Sequence, residues 1–281
     1  MMIELAGVTF NDTGRGYVFA DLVDWYTLPD SKARNDPIPQ GHGSFDPGTD
    51  WRSAAAPSFT AGYIGDSAAD CLAAVEALTG AVSATSVPVM RVTDSIRSTS
   101  REVSIRHIGV PDFLAYDSFE VHFAVDTLAW DPVRYGDEAT TVATLPSAGG
   151  GLEYPLGSPS GALYYGANGN LGRVSVSNTG TADTWPTFTL TGTLDSGFLI
   201  QCLDTGDAIR YDRVVPAGTT VTVDSRSGAV LVDGVSDAST YVTRDEFFPI
   251  PAGGSREIQF SSLGTSSGSP TMTVGYRSGW W

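Results

Sequence analysis

The chain has few basic residues, and this shortage limits the partners that it can bind. Only 16 of its 281 residues are Lys or Arg, a single one of them Lys32, against 32 Asp and Glu, so the formal net charge is −16. Proteins that bind a nucleic-acid backbone need clustered Lys and Arg to displace counterions from the phosphates. The composition therefore argues against an electrostatic surface for nucleic acid.

Cysteine and long apolar runs are also scarce. Cys71 and Cys202 lie too far apart in the sequence to indicate a disulfide framework, and they are interpreted as buried free thiols in a protein that folds in a reducing compartment. No window approaches the roughly 18 apolar residues of a membrane span. The first residues show no export signal. We expect a soluble anionic protein, made inside the cell and without a membrane partner.

Patterns for catalysis are incomplete. Gly65-Asp66-Ser67 precedes a predicted helix, as in one esterase family, but no downstream histidine with a nearby Asp completes the set, so Ser67 is interpreted as a helix cap. The segment 204–206, Asp-Thr-Gly, is half of an aspartic-protease site without a second copy, and it indicates a hairpin turn. We therefore predict that the protein is not an enzyme and has no catalytic residue.

Sequence patterns for metal and cofactor binding are not found either. His42, His107 and His122 have none of the close spacings of a zinc site, although His107 and His122 could be neighbours on adjacent strands. No alternating acidic loop for calcium and no dinucleotide fingerprint is present. We predict no metal and no cofactor.

Strand patterns dominate what the sequence does contain. Phe119, Val121, Phe123 and Val125 alternate with polar residues, which is typical of a half-buried strand. One helix is predicted over residues 67–79, with Ser67 at its N-cap and Gly80 at its end. Residues 29–56, rich in Pro and Gly, are predicted to be a long arm, which a compact domain would keep only for a function.

The second half of the chain alternates in many short segments separated by glycines. Such spacing is typical of a β-sandwich or jelly roll. Pro and Gly are concentrated between residues 131 and 160, which indicates a boundary. We predict a mainly β fold with three parts: a β domain with one helix over 1–140, a linker over 141–160 and a β-sandwich domain over 161–281.

The aromatic residues leave two interpretations open. Trp51, Trp185, Trp280 and Trp281 are predicted either to fill a core or subunit contact, or to stack on sugar rings. The second interpretation would make the protein a carbohydrate-binding β-sandwich protein that attaches to a host surface.

Five segments in order resemble the distal tail proteins of siphophages. The segment after the strand at 119–125 contains Ala129, Asp131, Pro132 and Tyr135, which match an Ala-x-Asp-Pro-x-x-Tyr-like junction of that family. Residues 149–156 look like the family's interdomain linker. Residues 178–192, 223–234 and 250–260 are similar to parts of its C-terminal sandwich.

The resemblance implies both an architecture and a role. The N-terminal domain would be of split β-barrel type and would line a homo-hexameric ring beneath the tail tube, and the C-terminal domain would be a galectin-like sandwich. The ring would join the tube protein to the tip hub, with tape measure and fibre proteins as further partners, and DNA would pass through without specific binding. Location in the virion tail and assembly in the host cytoplasm follow from the same resemblance.

Overall fold

The computed structural model describes residues 1–33, 36–46, 48, 50–83, 87–96, 99–105, 107–108, 112–116, 119–151 and 168–281. The chain forms two compact units, Met1–Asp137 with Trp280–Trp281, and Glu138–Gly279. Both consist mainly of β-strands, as the alternation of apolar and polar residues predicted.

The N-terminal unit is built on one sheet and one helix. Its elements are β1 (Met2–Leu5), β2 (Val8–Asn11), β3 (Gly16–Val23), β4 (Ser58–Ile64), α1 (Ala68–Val82), β5 (Val89–Asp94), β6 (Thr99–Ser104), β7 (His107–Ile108), β8 (Asp112–Tyr116) and β9 (Glu120–Leu128). The strand order is β6-β5-β1-β2-β3-β4-β9, and β7 and β8 pair with β9. Neighbours are antiparallel except β2 and β3.

Aromatic side chains fill the core of this unit. Phe10 is fully buried and meets Phe59 edge-on, with 5.2 Å between the ring centroids, and Phe123 at 6.3 Å. Alternation along β9 buries Val121, Phe123 and Val125, as predicted, because successive strand residues point to opposite faces. Phe119 was predicted to lie on the same face of this strand, but it precedes the strand and is 60% exposed.

Helix α1 begins where the sequence predicted and ends later. Ser67 Oγ accepts a hydrogen bond from the Asp70 amide at 3.2 Å, which confirms the N-cap. The prediction that Gly80 ends the helix is wrong: the helix runs to Val82, and the Ser83 amide donates to the Thr79 carbonyl at 3.0 Å. A glycine ends a helix when it adopts a positive φ, and Gly80 does not.

The C-terminal unit is a sandwich of two antiparallel sheets. Its strands are β11 (Arg173–Ser177), β12 (Thr187–Leu194), β13 (Phe198–Cys202), β14 (Ala208–Tyr211), β15 (Val221–Asp224), β16 (Val230–Val232), β17 (Ser236–Asp237), β18 (Val242–Asp245), β19 (Ser255–Ser262) and β20 (Ser266–Trp280). One sheet has the order β17-β16-β15-β12-β20 and the other β11-β19-β13-β14-β18. Phe188, Phe198 and Phe260 are fully buried in the core of this unit. The predicted sandwich is confirmed.

The predicted boundary region contains a strand that the sequence analysis did not anticipate. Strand β10 (Arg134–Thr144) extends through residue 140, where the first domain was predicted to end. Asp131 and Pro132 do lie in a break between strands, since β9 ends at Leu128 and β10 starts only at Arg134. Part of the predicted linker, most of the segment 149–156 and the start of the second predicted domain lie in 152–167, outside the described residues.

Candidate functional site

The residues between β3 and β4 form an arm that folds back on itself. Ser31 and Arg52 pair across the two legs, with the Lys32 amide donating to the Trp51 carbonyl at 2.7 Å and the Ser53 amide to the Asp30 carbonyl at 2.8 Å. A second bridge joins Pro37 and Ser44 farther out. The arm predicted over 29–56 therefore has a hairpin-like course.

Large apolar side chains are exposed along and beside this arm. Trp51 is 69% exposed and Phe45 is 59% exposed, and Tyr26 and Leu28 at its start are each about half exposed. Contiguous exposed apolar side chains, aromatic ones above all, are typical of surfaces that bind another macromolecule. The arm is therefore the first candidate for a contact surface.

The returning leg of the arm is fixed by the segment that follows β9. Ala129 is fully buried and exchanges two backbone hydrogen bonds with Ala55, at 2.8 and 3.0 Å. Thr127 Oγ1 donates to the Pro57 carbonyl. This antiparallel bridge between Ala55 and Ala129 marks the root of the arm, so the junction motif has a structural role there.

Asp131 and Tyr135 of the same motif stabilise the turn into β10. Asp131 Oδ2 accepts a hydrogen bond from the Tyr135 hydroxyl at 2.9 Å, and Oδ1 accepts one from the Val133 amide at 3.3 Å. Pro132 lies between them and lines a small pocket at the arm root. The four motif residues therefore come together at one place, although their role in an assembly stays a prediction.

Arg134, within the same segment, was missed by the sequence analysis. Its side chain is only 5% exposed, its guanidinium lies 5.8 Å from the centre of the Trp25 ring, and its buried Nε has no hydrogen-bond acceptor among the described residues. Burial, together with the nearby positive charge of Arg101, lowers the pKa of Arg134 from its ordinary value. No sequence pattern distinguishes a buried arginine from an exposed one.

A groove extends along the arm root beside Arg134. Its volume is about 180 Å³, and it is lined by Asp24, Thr27, Leu28, Pro29, Asp30 and Ala54–Ala56. The small pocket that Arg134 lines shares Asp24, Thr27 and Ala55 with this groove. The root of the arm is thus concave, and the charged residues that line the groove, Asp24 and Asp30, are both acidic.

The four tryptophans singled out in the sequence do not form one platform within either unit. Trp51 lies on the arm, whereas Trp185 belongs to the C-terminal unit and is 37% exposed. Trp280 is half-buried, with the Arg101 guanidinium 4.2 Å from its ring centre, and Trp281 is 39% exposed. A role for these rings in subunit contact or in glycan stacking stays a prediction.

The discarded catalytic patterns have structural explanations. The segment 204–206 forms the turn between β13 and β14, as predicted, and Gly206 has the positive φ (85°) that this turn needs. The suggestion that His107 and His122 are neighbours is wrong. His107 pairs with Leu128 on β9, six residues along the strand from His122, or about 20 Å at ~3.3 Å per residue.

The described residues contain neither a metal-binding group nor a membrane-spanning helix. No group of three or more His, Cys, Asp or Glu side chains is placed to hold a metal ion. None of the helices in the described part of the chain is long and apolar enough to cross a membrane.

Comparison with known proteins agrees with the architecture. Residues 179–280 match the family of the siphovirus-type tail component, C-terminal domain. The fold is similar to that of the SPP1 Dit (gp 19.1) protein, described as a paradigm of the hub adsorption apparatus in phages that infect Gram-positive bacteria. The TM-score is 0.69 and the identity 14%, with 100% of this chain and 99% of that chain covered. Among curated proteins, none matches the chain in sequence.

Two further solved structures show the fold at lower similarity. They are the phage P2 baseplate in its activated conformation with Ca and the same baseplate with Sr. Each has a TM-score of 0.55 and is 10% identical in sequence. Each match covers 98% of this chain and 97% of the baseplate chain.

The C-terminal unit matches a siphovirus-type tail component domain, and the whole chain has the fold of a phage tail protein. More particularly, its resemblance to the siphophage distal tail proteins, first seen in five short segments, is confirmed by the family match of its C-terminal unit and by a fold shared along the whole chain.

Proposed function

We propose that the protein forms a homo-hexameric ring at the distal end of a long non-contractile tail. The ring joins the tail tube to the tip hub and fibres and leaves a channel for DNA. The observation that carries the proposal is the match to SPP1 Dit over the full length of both chains, since a fold retained at 14% identity is consistent with a common architecture for assembly. The tape measure protein is a further partner, and assembly takes place in the host cytoplasm.

The arm is the element best suited to join neighbouring copies. It follows a strand of the N-terminal sheet, the described residues of its legs pair with each other and with Ala129, and it exposes Phe45 and Trp51. Burial of two aromatic side chains in a neighbour supplies apolar area with little loss of side-chain freedom. In this proposal the arm crosses to the next subunit or to the adjacent ring.

The acidic composition suits a channel for DNA. Six copies of a chain with net charge −16 carry −96 formal charges. A polyanion is repelled by an anionic bore, whereas clustered arginines would hold it. The proposed bore therefore has more acidic than basic side chains, and the protein acts without catalysis.

Removal of the arm tests this proposal. Because Lys32 and Trp51 face each other across the two legs, residues 33–50 can be replaced by Asn-Gly, the sequence that best closes a two-residue hairpin. We expect the wild-type protein to show six times the chain mass of 29.5 kDa by light scattering, and the shortened protein to remain folded but monomeric. Rings of normal mass from the shortened protein would refute the role of the arm, and a monomeric wild type would refute the ring.

A further inference from the structure

The C-terminal unit contains a pocket at one edge of its sandwich. The pocket lies within this one compact unit, between the segment that joins β14 to β15 and the hairpin of β16 and β17. Its volume is about 350 Å³, nearly twice the 180 Å³ of the groove at the arm root. Pockets that bind small ligands in proteins have about 300–1,000 Å³. The pocket is therefore large enough for one small molecule.

The inner wall of the pocket is mainly apolar and is held in place by the core of the unit. Tyr211, Val221 and Ala238 line the pocket, and each of them is only 1% exposed. The Tyr211 ring stacks on the Phe198 ring, with 5.0 Å between their centroids. The Ala238 amide donates to the Val230 carbonyl at 2.8 Å. This wall offers a fixed surface to the apolar side of a ligand.

The mouth of the pocket carries one cation and one anion, and each is oriented by a neighbour. Arg213 and Asp237 both line the pocket and are exposed. The Arg213 guanidinium lies 4.4 Å from the centre of the Tyr241 ring and forms no hydrogen bond or ion pair with the residues that the structure describes. Asp237 Oδ1 accepts hydrogen bonds from the Ser239 amide at 2.9 Å and the Ser239 hydroxyl at 2.7 Å. The guanidinium and the carboxylate are thus positioned to bind polar groups of a ligand.

This combination of groups favours a neutral ligand that is rich in hydroxyls. The opposite charges at the mouth balance, and a phosphate would be repelled both by Asp237 and by the net charge of −16. A hydroxyl group can accept a hydrogen bond from a guanidinium and donate one to a carboxylate. A sugar ring carries adjacent hydroxyls at its edge and C–H groups on its faces, so it matches both the polar mouth and the apolar inner wall.

We propose that this pocket binds one neutral sugar unit. Arg213 and Asp237 hydrogen-bond to adjacent hydroxyls, and the inner wall packs against the C–H groups of the ring. The sugar is either free or the terminal unit of a polysaccharide, since the same groups recognise both. The inference goes beyond the proposed ring and does not depend on it. It also assigns sugar binding to this pocket rather than to the four tryptophans singled out in the sequence.

Saturation-transfer NMR on the full chain detects such binding. The probes are glucose, galactose, mannose and N-acetylglucosamine, with alanine as a small zwitterion that could also match one cation and one anion. We expect magnetisation transfer to at least one sugar, strongest at the C–H protons of one ring face. A polysaccharide that ends in this sugar is then added: displacement of the free sugar identifies a polymer as the source, and no displacement identifies the free sugar. No transfer to any of the sugars, or transfer to alanine alone, would overturn the proposal.

Substitutions locate the bound sugar. Arg213→Ala removes the cation and Ser236→Trp fills the mouth of the pocket, and both change exposed residues. We expect each to weaken binding by about tenfold or more, because hydrogen bonds to charged groups are the strong ones. Arg173→Ala is the control, since it removes an exposed arginine of the same unit that pairs with Glu257 and does not line the pocket. Unchanged binding by Arg213→Ala and Ser236→Trp, or its loss only in Trp185→Ala, would overturn the proposal.

The pocket and the ring are tested separately. A wild-type protein that stays monomeric but binds the sugar refutes the ring and leaves this inference intact. A wild type that assembles and binds none of the sugars refutes only the inference.

Discussion

Individual residues of the junction motif fix the geometry at the root of the arm. Ala129 contributes a backbone that can approach Ala55, while Asp131 and Tyr135 close the turn that precedes β10. These positions were identified by resemblance alone, without a physical reason for each residue type. Side-chain hydrogen bonds provide that reason for Asp131 and Tyr135, whereas Ala129 uses only backbone groups.

The Asp131 turn yields a stability prediction. Asp131→Ala removes the acceptor of both the Tyr135 hydroxyl and the Val133 amide, and we expect a loss of about 1–3 kcal/mol, since one lost partner leaves the other group unsatisfied. Tyr135→Phe removes only the hydroxyl and should cost about 1 kcal/mol. Urea unfolding of the full chain measures both. Equal stability of Asp131→Ala and the wild type would contradict the role assigned to this turn.

Strands were predicted correctly where apolar and polar residues alternate regularly. The short alternating segments predicted in the second half of the chain are strands beyond residue 170, because a half-buried strand needs a period of two. Strand β10 was missed because its residues 137–140 are exposed and it begins close to Pro132. The helix was found from its cap, but its end depends on the φ of Gly80, which composition does not determine.

Gly80 offers a test of the helix boundary. It lies inside α1, a Cβ there would meet nothing within 4 Å, and Ala is favoured over Gly in a helix interior by about 0.8–1 kcal/mol. Gly80→Ala should therefore raise the free energy of unfolding by up to that amount. Gly62→Ala is the control, since its Cβ would lie 2.8 Å from the Val121 carbonyl oxygen, and it should destabilise by about 1–3 kcal/mol. Destabilisation by Gly80→Ala would place the helix end before residue 80.

At the scale of the whole molecule, net charge opposes self-association. Each copy carries −16, so copies repel one another at low ionic strength. Between about 0.01 M and 0.15 M salt the Debye length falls from about 30 Å to about 8 Å, which screens exposed charges but hardly affects buried pairs.

Salt should therefore strengthen assembly. We expect the concentration for half-assembly, measured by light scattering or sedimentation, to fall when salt is raised over this range. Dissociation of the wild type by salt would contradict this prediction, because it would mean that exposed opposite charges hold the copies together.

The sequence by itself determined the β class, the sandwich, the helix start and the acidic character, because periodicity, capping and charge are local or additive properties. It also carried the motifs that relate the chain to siphophage distal tail proteins. Only the tertiary structure decided that the arm folds back on itself, that the motif fixes the root of the arm, and that Arg134 is buried. These features depend on which distant segments pack together, and a side chain's solvent exposure is not a property of its own sequence neighbours.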